Sequence, residues 1–220
     1  MSKQTRKSVG IVAGTKVDTQ MGVDYFRDQG IAAFGSELSL EASENNKLQV
    51  LDREGLQKLV SEKFRFLNNS HKLDSFCIYC NSVSTALDLI SLRQELRLPV
   101  ITPLETYELI ASKYNRFGLL TANCQSAAGI EKVITQVNNN AEVIGMGMLP
   151  LVTAIENKKG PEEIVKELGL NNLMNIFKKV EAEVIILGCT HFPYIKEVIR
   201  GISPIQIFDP SKEMVNRALS

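Results

Sequence analysis

The chain has no tryptophan, two histidines and four cysteines, and its charge has no sign, with 25 Lys and Arg against 25 Asp and Glu. Each scarcity excludes something. With no basic excess and no block of like charge, nothing marks a nucleic-acid partner or a charged tail. Without Trp, a stacking platform for bases would fall to Tyr and Phe, and these are scattered. No run approaches the roughly 20 apolar residues that a membrane span requires, so no membrane association is expected. The N-terminal MSKQTRKSVGIV is basic, but Gly14 and Thr15 break the following apolar run almost at once, which is not the pattern of a secretory signal. Cys77, Cys80, Cys124 and Cys189, spread over 220 residues without such a signal, read as thiols of a cytoplasmic protein rather than as a disulfide framework.

What is present is an ordinary apolar share of 44% in a chain long enough to bury one large core or two smaller ones. Short apolar runs alternate with longer amphipathic stretches. SVGIVAG (8–14), SFCIYC (75–80), RFGLLTA (116–122), AEVIGMG (141–147), AEVIILG (182–188) and IQIFD (205–209) read as strands; residues 31–40 and the short LPVITP (98–103) add two less regular ones. Between them, residues 52–69 place Leu56, Leu59, Val60, Phe64 and Leu67 at helical spacing behind a capping Asp52. Helices are also expected at about 19–29, 82–96, 104–114, 126–137, 160–180 with a break near Gly169, 194–202 and 211–219. This βαβ rhythm predicts an α/β fold with parallel sheets covered by helices on both faces.

Two strands rhyme. SFCIYC-N-SVSTAL and VIILGC-T-HFPYI both run apolar, then cysteine, then a small polar residue, then a helix, about half a chain apart. The repetition predicts two similar α/β halves, each with a cysteine at a strand's carboxyl end, the end where such folds bind ligands. We place the first domain at residues 1–98 plus about 205–220, carrying Cys80, and the second at 99–204, carrying Cys189.

A thiol at that position lies near the N-terminus of the next helix, whose free N–H groups and dipole favour the thiolate. Each cysteine taken singly also fits a plain core thiol, since free Cys is among the most buried residue types. The shared context favours a functional pair. Two thiols acting on one small molecule could invert a carbon: a thiolate removes a proton from one face while a thiol delivers one to the other. The charge that develops on an adjoining carboxylate needs preorganised donors, for which backbone N–H groups after Cys80 and Cys189, with Asn81 and Thr190, are placed in sequence.

CNSVSTA (80–86) and GCTHFPYI (188–195) resemble the paired cysteine motifs of the aspartate/glutamate racemases. The resemblance covers nearly the whole chain. It implies two pseudo-symmetric three-layer αβα domains with the active site between them, a two-base thiol mechanism that needs no pyridoxal phosphate or other cofactor, a small amino-acid substrate, and a homodimer. By motif position it makes Cys80 and Cys189 the acid/base pair, with His191 an auxiliary of the second thiol. Asn81, Ser82, Thr190 and Thr121 become substrate-binding residues, with Cys124 standing where a Thr or Ser is usual. The late FDPS (208–211) resembles the family's strand ending in Asp. The first loop departs: glutamate racemases carry Asp-Ser-Gly there and many aspartate racemases Gly-Gly-Met-Gly-Pro, against AGTKVDTQMGVD (13–24) here. Gly14 and Thr15 are still expected to offer donors to a substrate, while Asp18 and Thr19 fit helix capping better than an ammonium contact.

Other readings are weaker. CIYC (77–80) is a CxxC, but residues three apart on a strand face opposite ways, so Cys77 is read as core and no metal is expected. Gly145-Met-Gly147 lacks the third glycine of a nucleotide loop. His71 reads as a solvated loop residue, and His191 also fits a buried partner of a backbone carbonyl. The expected function is cofactor-independent racemisation of aspartate or glutamate. Two alternatives stand: a cysteine-dependent isomerase or decarboxylase of a small dicarboxylic acid, like maleate isomerase, and a non-catalytic amino-acid-binding relative.

Overall fold

In β1 (Ser8–Ala13) successive side chains go to opposite faces, as the pleat requires. Val9, Ile11 and Ala13 join one buried core and Val12 another. The same split divides the later strand β3 (Ser75–Ile78) and the two residues beyond it: Cys77 and Tyr79 face the first core, Phe76, Ile78 and Cys80 the second. A sheet apolar on both faces must be covered on both. Helices α1 (Lys16–Asp28) and α12 (Ser211–Leu219) supply Val23, Phe26, Met214 and Val215 to one side. On the other, α3 (Arg53–His71) supplies Leu56, Val60, Phe64 and Leu67, with Val83 of α4 (Asn81–Ala86) and Leu92 of α5 (Leu89–Leu96). This computed structural model describes residues 7–220; residues 1–6, part of the basic stretch read above as no secretory signal, lie outside them.

Completing the first sheet, β2 (Ala32–Glu37) and β4 (Val100–Ile101) give a parallel order β2-β1-β3-β4. Helix α2 (Ala42–Leu51) lies between β2 and α3. The second half repeats the plan with β5 (Arg116–Thr121), β6 (Glu142–Gly147), β7 (Val184–Gly188) and β8 (Gln206–Phe208) in the order β6-β5-β7-β8, all parallel. Around it run α6 (Leu104–Ala111), α7 (Cys124–Val137), α8 (Leu149–Glu156), α9 (Pro161–Glu167), α10 (Leu170–Lys179), a 3₁₀ turn at Phe192–Ile195 and α11 (Lys196–Ile202). Tyr107 and Ile110 of α6 and Ile130 and Ile134 of α7 cover Phe117, Leu119, Val184 and Ile186. Phe177 of α10 lies against Gly118 from the opposite face. The architecture is therefore α/β, with two four-stranded parallel sheets flanked by helices.

The chain divides into two compact units, one running to Pro103 and resuming at Ser211–Ser220, the other spanning Leu104–Pro210. The last strand corrects the reading of residues 205–220 as first-domain: β8 pairs in register with β7, Ile185 opposite Ile207, and only α12 joins the first unit. The helix expected at 82–96 is two, because Leu87 is extended and Asp88 starts α5 by accepting from the N–H groups of Ile90 and Ser91. His71 ends α3 and stacks on Phe34, with ring centroids 3.8 Å apart. Among the described residues, no helix is long and apolar enough to cross a membrane.

Candidate active site

In each sheet the chain leaves the second-position strand (β1, β5) toward one edge and returns to the other side of it (β3, β7). The carboxyl ends of β1 and β3, and of β5 and β7, are therefore topological switch points, where open α/β sheets bind ligands. The expected site residues all stand there. Cys80 follows β3 and Cys189 follows β7, strands that hold the same third place in their sheets.

After β1, Thr15 caps α1, its Oγ1 accepting from the N–H of Asp18 at 3.4 Å. Asp18 reaches back, Oδ2 accepting from the N–H of Gly14 at 3.4 Å. This is a reciprocal cap, and it assigns Asp18 to capping. The carbonyl of Gly14 accepts from both the N–H and the hydroxyl of Ser39, at 3.0 and 2.9 Å, which binds the exits of β1 and β2 together. The backbone N–H expected to serve a substrate at Gly14 is thus already directed at Asp18.

Cys80 is the N-cap residue of α4, extended at φ −161° and ψ 120°, and is buried. Its Sγ lies 3.3 Å from Ser82 Oγ. A hydroxyl there can donate to a thiolate, and the first-turn N–H groups add a favourable dipole. Ser84 closes the turn, its hydroxyl donating to the Cys80 carbonyl at 2.7 Å. Asn81 is buried beside the sulfur's backbone.

Cys189 is equally buried but differently supported. Its carbonyl accepts from the N–H of Phe192 at 3.0 Å, opening the 3₁₀ turn, and α11 begins only at Lys196. It does not cap an α-helix, so the setting expected to match that of Cys80 does not. Instead Sγ lies 3.6 Å from Nδ1 of His191, whose Nε2 lies 3.1 Å from Oε1 of Glu156 at the end of α8. A carboxylate facing Nε2 makes that nitrogen the proton-bearing one, leaving Nδ1 as an acceptor for the thiol's hydrogen. The His191 and Glu156 side chains are 5% and 17% exposed, so the pair is little screened. Thr190 is buried between sulfur and imidazole in the chain.

Nothing in the sequence near the cysteines points to Glu156, which lies 35 residues from His191 and is one of many acidic residues on amphipathic helices. Tyr107 was likewise not anticipated. Burial pushes its phenol well above the ordinary range, and the charges of Asp209 and Cys189 act the same way, so a neutral hydroxyl stands within electrostatic reach of the sulfur. Asp209, the residue after β8, is held by Lys196 at 3.0 Å.

Thr121 ends β5 fully buried, its hydroxyl donating to the carbonyls of Asn123 and Met146 at 2.8 and 3.2 Å, so only its oxygen lone pairs remain for a ligand. The next residues start α7 with a cap the sequence reading did not find: Asn123 Oδ1 accepts from the N–H of Ser126 at 2.8 Å, leaving Cys124 exposed in the first turn. Among the described residues, no cluster of three or more His, Cys, Asp or Glu side chains is placed to hold a metal ion.

A family profile described as Asp/Glu/Hydantoin racemase matches residues 39–218, which include both cysteines and His191. The chain belongs to the Asp/Glu/Hydantoin racemase family. It is 28% identical to the glutamate racemase of Limosilactobacillus reuteri over 172 residues, which are 76% of this chain and 63% of that one. To the glutamate racemase of Fusobacterium nucleatum it is 29% identical over 199 residues, 89% of this chain and 69% of the other. The chain thus spans just under two thirds of the length of the first of these relatives. Its fold is similar to that of the glutamate racemase of Francisella tularensis solved with D-glutamate, with a TM-score of 0.74 at 19% identity over 97% of this chain and 80% of that one. Within the family's architecture, Cys77 falls in the core on the opposite sheet face from Cys80, so the CxxC does not converge on one point.

Proposed function

We propose that this racemase-family chain interconverts the enantiomers of aspartate or glutamate without a cofactor, using Cys80 and Cys189 as its two acid/base groups. The observation that carries the reading is the like placement of the two cysteines in the two sheets. Each follows the third strand of a like-ordered sheet, at the ligand-binding end, with a polar side chain two residues on.

In one direction the Cys189 thiolate takes the α-hydrogen as a proton. An S–H bond forms, the Cα–H bond breaks, and its electron pair spreads onto the substrate carboxylate. The Cys80 thiol then gives its proton to the opposite face of the carbon and becomes the thiolate. In the reverse direction the roles exchange, and proton exchange with solvent restores the starting pair, a coupled titration. His191, held by Glu156, stores the proton of Cys189 while its thiolate waits. The Ser82 hydroxyl supports the Cys80 thiolate. Backbone N–H groups after each cysteine, with Asn81 and Thr190, stabilise the charge that builds on the carboxylate. Gly14, Thr15 and Thr121 shape the loops that hold the substrate. The same reading carries a cytoplasmic homodimer.

The test is exchange in deuterated water with each enantiomer of aspartate and of glutamate. Label at the α-carbon together with loss of optical activity is expected for one of the two amino acids; the optical change is lost in Cys80→Ala and in Cys189→Ala, where the one thiol that remains can label only the enantiomer whose α-hydrogen faces it. Absence of label and of optical change with all four compounds would overturn the proposal. Light scattering on the purified chain decides the dimer.

A further inference from the structure

Helix α2, ASENNKLQVL, turns the wrong residues inward. Its buried positions are Asn45 and Gln49, while Val50 and Leu51 are exposed. A helix that hides amides and shows aliphatics to solvent was not shaped by core packing alone.

Asn45 is only 8% exposed. Its Oδ1 is shut off from solvent and accepts no hydrogen bond from any described residue. Such a buried acceptor is costly unless something donates to it. The amide lies directly on the first loop: a Cβ built on Gly14 would stand 2.2 Å from Asn45 Nδ2. Position 14 therefore has to be glycine while Asn45 keeps this place. The absence of a side chain at position 14 leaves the room that Asn45 fills. The site is at the carboxyl end of β1, the ligand end of the sheet. Helix α2 also packs against α4, the helix that Cys80 caps.

We infer that Asn45 is a specificity-determining residue of this chain, its Oδ1 accepting a hydrogen bond from the α-ammonium group of the amino-acid substrate. The assignment rests on the racemase reading for the identity of the ligand. An acidic amino acid offers two carboxylates, which only accept, and one ammonium, which only donates; a buried acceptor selects the ammonium. Asp18, buried in the first turn of α1 with Oδ2 on the N–H of Gly14, adds carboxyl acceptor oxygens on that side.

The experiment compares ligands with and without the amine: aspartate against succinate, and glutamate against glutarate, each binding measured by calorimetry on the full chain. In Asn45→Leu the amino acid is expected to weaken tenfold or more while the diacid changes less than twofold. In Asn45→Asp, which keeps the shape over Gly14, the amino acid binds at least as well as in the natural chain and the diacid weakens. Equal weakening of amino acid and diacid in both variants, or no change in either, overturns the inference. Thermal melts of Asn45→Asp confirm the fold. Binding is read separately from turnover, so a chain that binds aspartate or glutamate but fails to racemise it sinks the proposed function while still testing Asn45.

Discussion

Glu156 is the residue through which the proposed chemistry at Cys189 is most sharply tested. Replacing it by glutamine keeps the size of the side chain and its place against His191, but removes the charge facing Nε2 across 3.1 Å. A hydrogen bond to a charged group contributes about 1.5–3 kcal/mol against roughly 0.5–1.5 for a neutral one. The pair is largely shielded from water, so the difference, on the order of 1.4 kcal/mol, should reach the imidazolium nearly undiluted and lower kcat/KM about tenfold. Two enantiomers have equal free energy, so kcat/KM must fall by the same factor in both directions. The separate kcat values need not, because only one direction begins with proton removal by Cys189. The assay is circular dichroism from each enantiomer, with the alkylation rate of Cys189 followed in parallel by peptide mass spectrometry. That rate should drop several-fold at neutral pH. Glu167→Gln, which removes a surface partner of Lys159, serves as the control and should change neither. If Glu156→Gln stays within twofold of the natural chain in both turnover and alkylation, the account of His191 as an oriented proton store is wrong.

Two further predictions concern the frame. Glu183 accepts from the N–H groups of Asn115 and Arg116 at 2.6 and 2.9 Å, and these bonds hold its carboxyl below the ordinary range. Its contribution is therefore present above the usual carboxylate pKa and fades as pH falls through the lowered one. Because the group is mostly exposed, Glu183→Gln should cost under about 1 kcal/mol in a urea melt at pH 7 and nothing once the carboxyl is protonated; a cost that persists in acid would contradict the assignment. A Cβ at Gly147 would stand 2.5 Å from the backbone of Asn123 and Cys124. Gly147→Ala should therefore destabilise by about 1–3 kcal/mol, a fall of several degrees in melting temperature, and an unchanged melt would show that the loop after β5 yields freely.

The readings that came through from residues alone were those fixed by local chemistry. The alternation of Val9, Ile11 and Val12, buried on opposite faces of one strand, marks a sheet covered twice, and the break at Gly169, left-handed at φ 64°, separates two helices where glycine suggests it. Apolar strand followed by cysteine and a polar residue is legible for the same reason, since period and terminus are properties of a few neighbouring residues. Helix α2 was invisible because it has no apolar face and no side-chain cap.

The sequence by itself determined the strand and helix types, the doubling of the plan and the two thiols, because hydrophobic period and helix-start chemistry act over a handful of bonds. Only the tertiary structure decided that β8 pairs with β7, that Glu156 faces His191, that Cys189 leans on an imidazole where Cys80 leans on a helix, and that Asn45 lies over Gly14. Each of those joins residues distant along the chain, and which polar group meets which is settled by how the helices pack on the sheets.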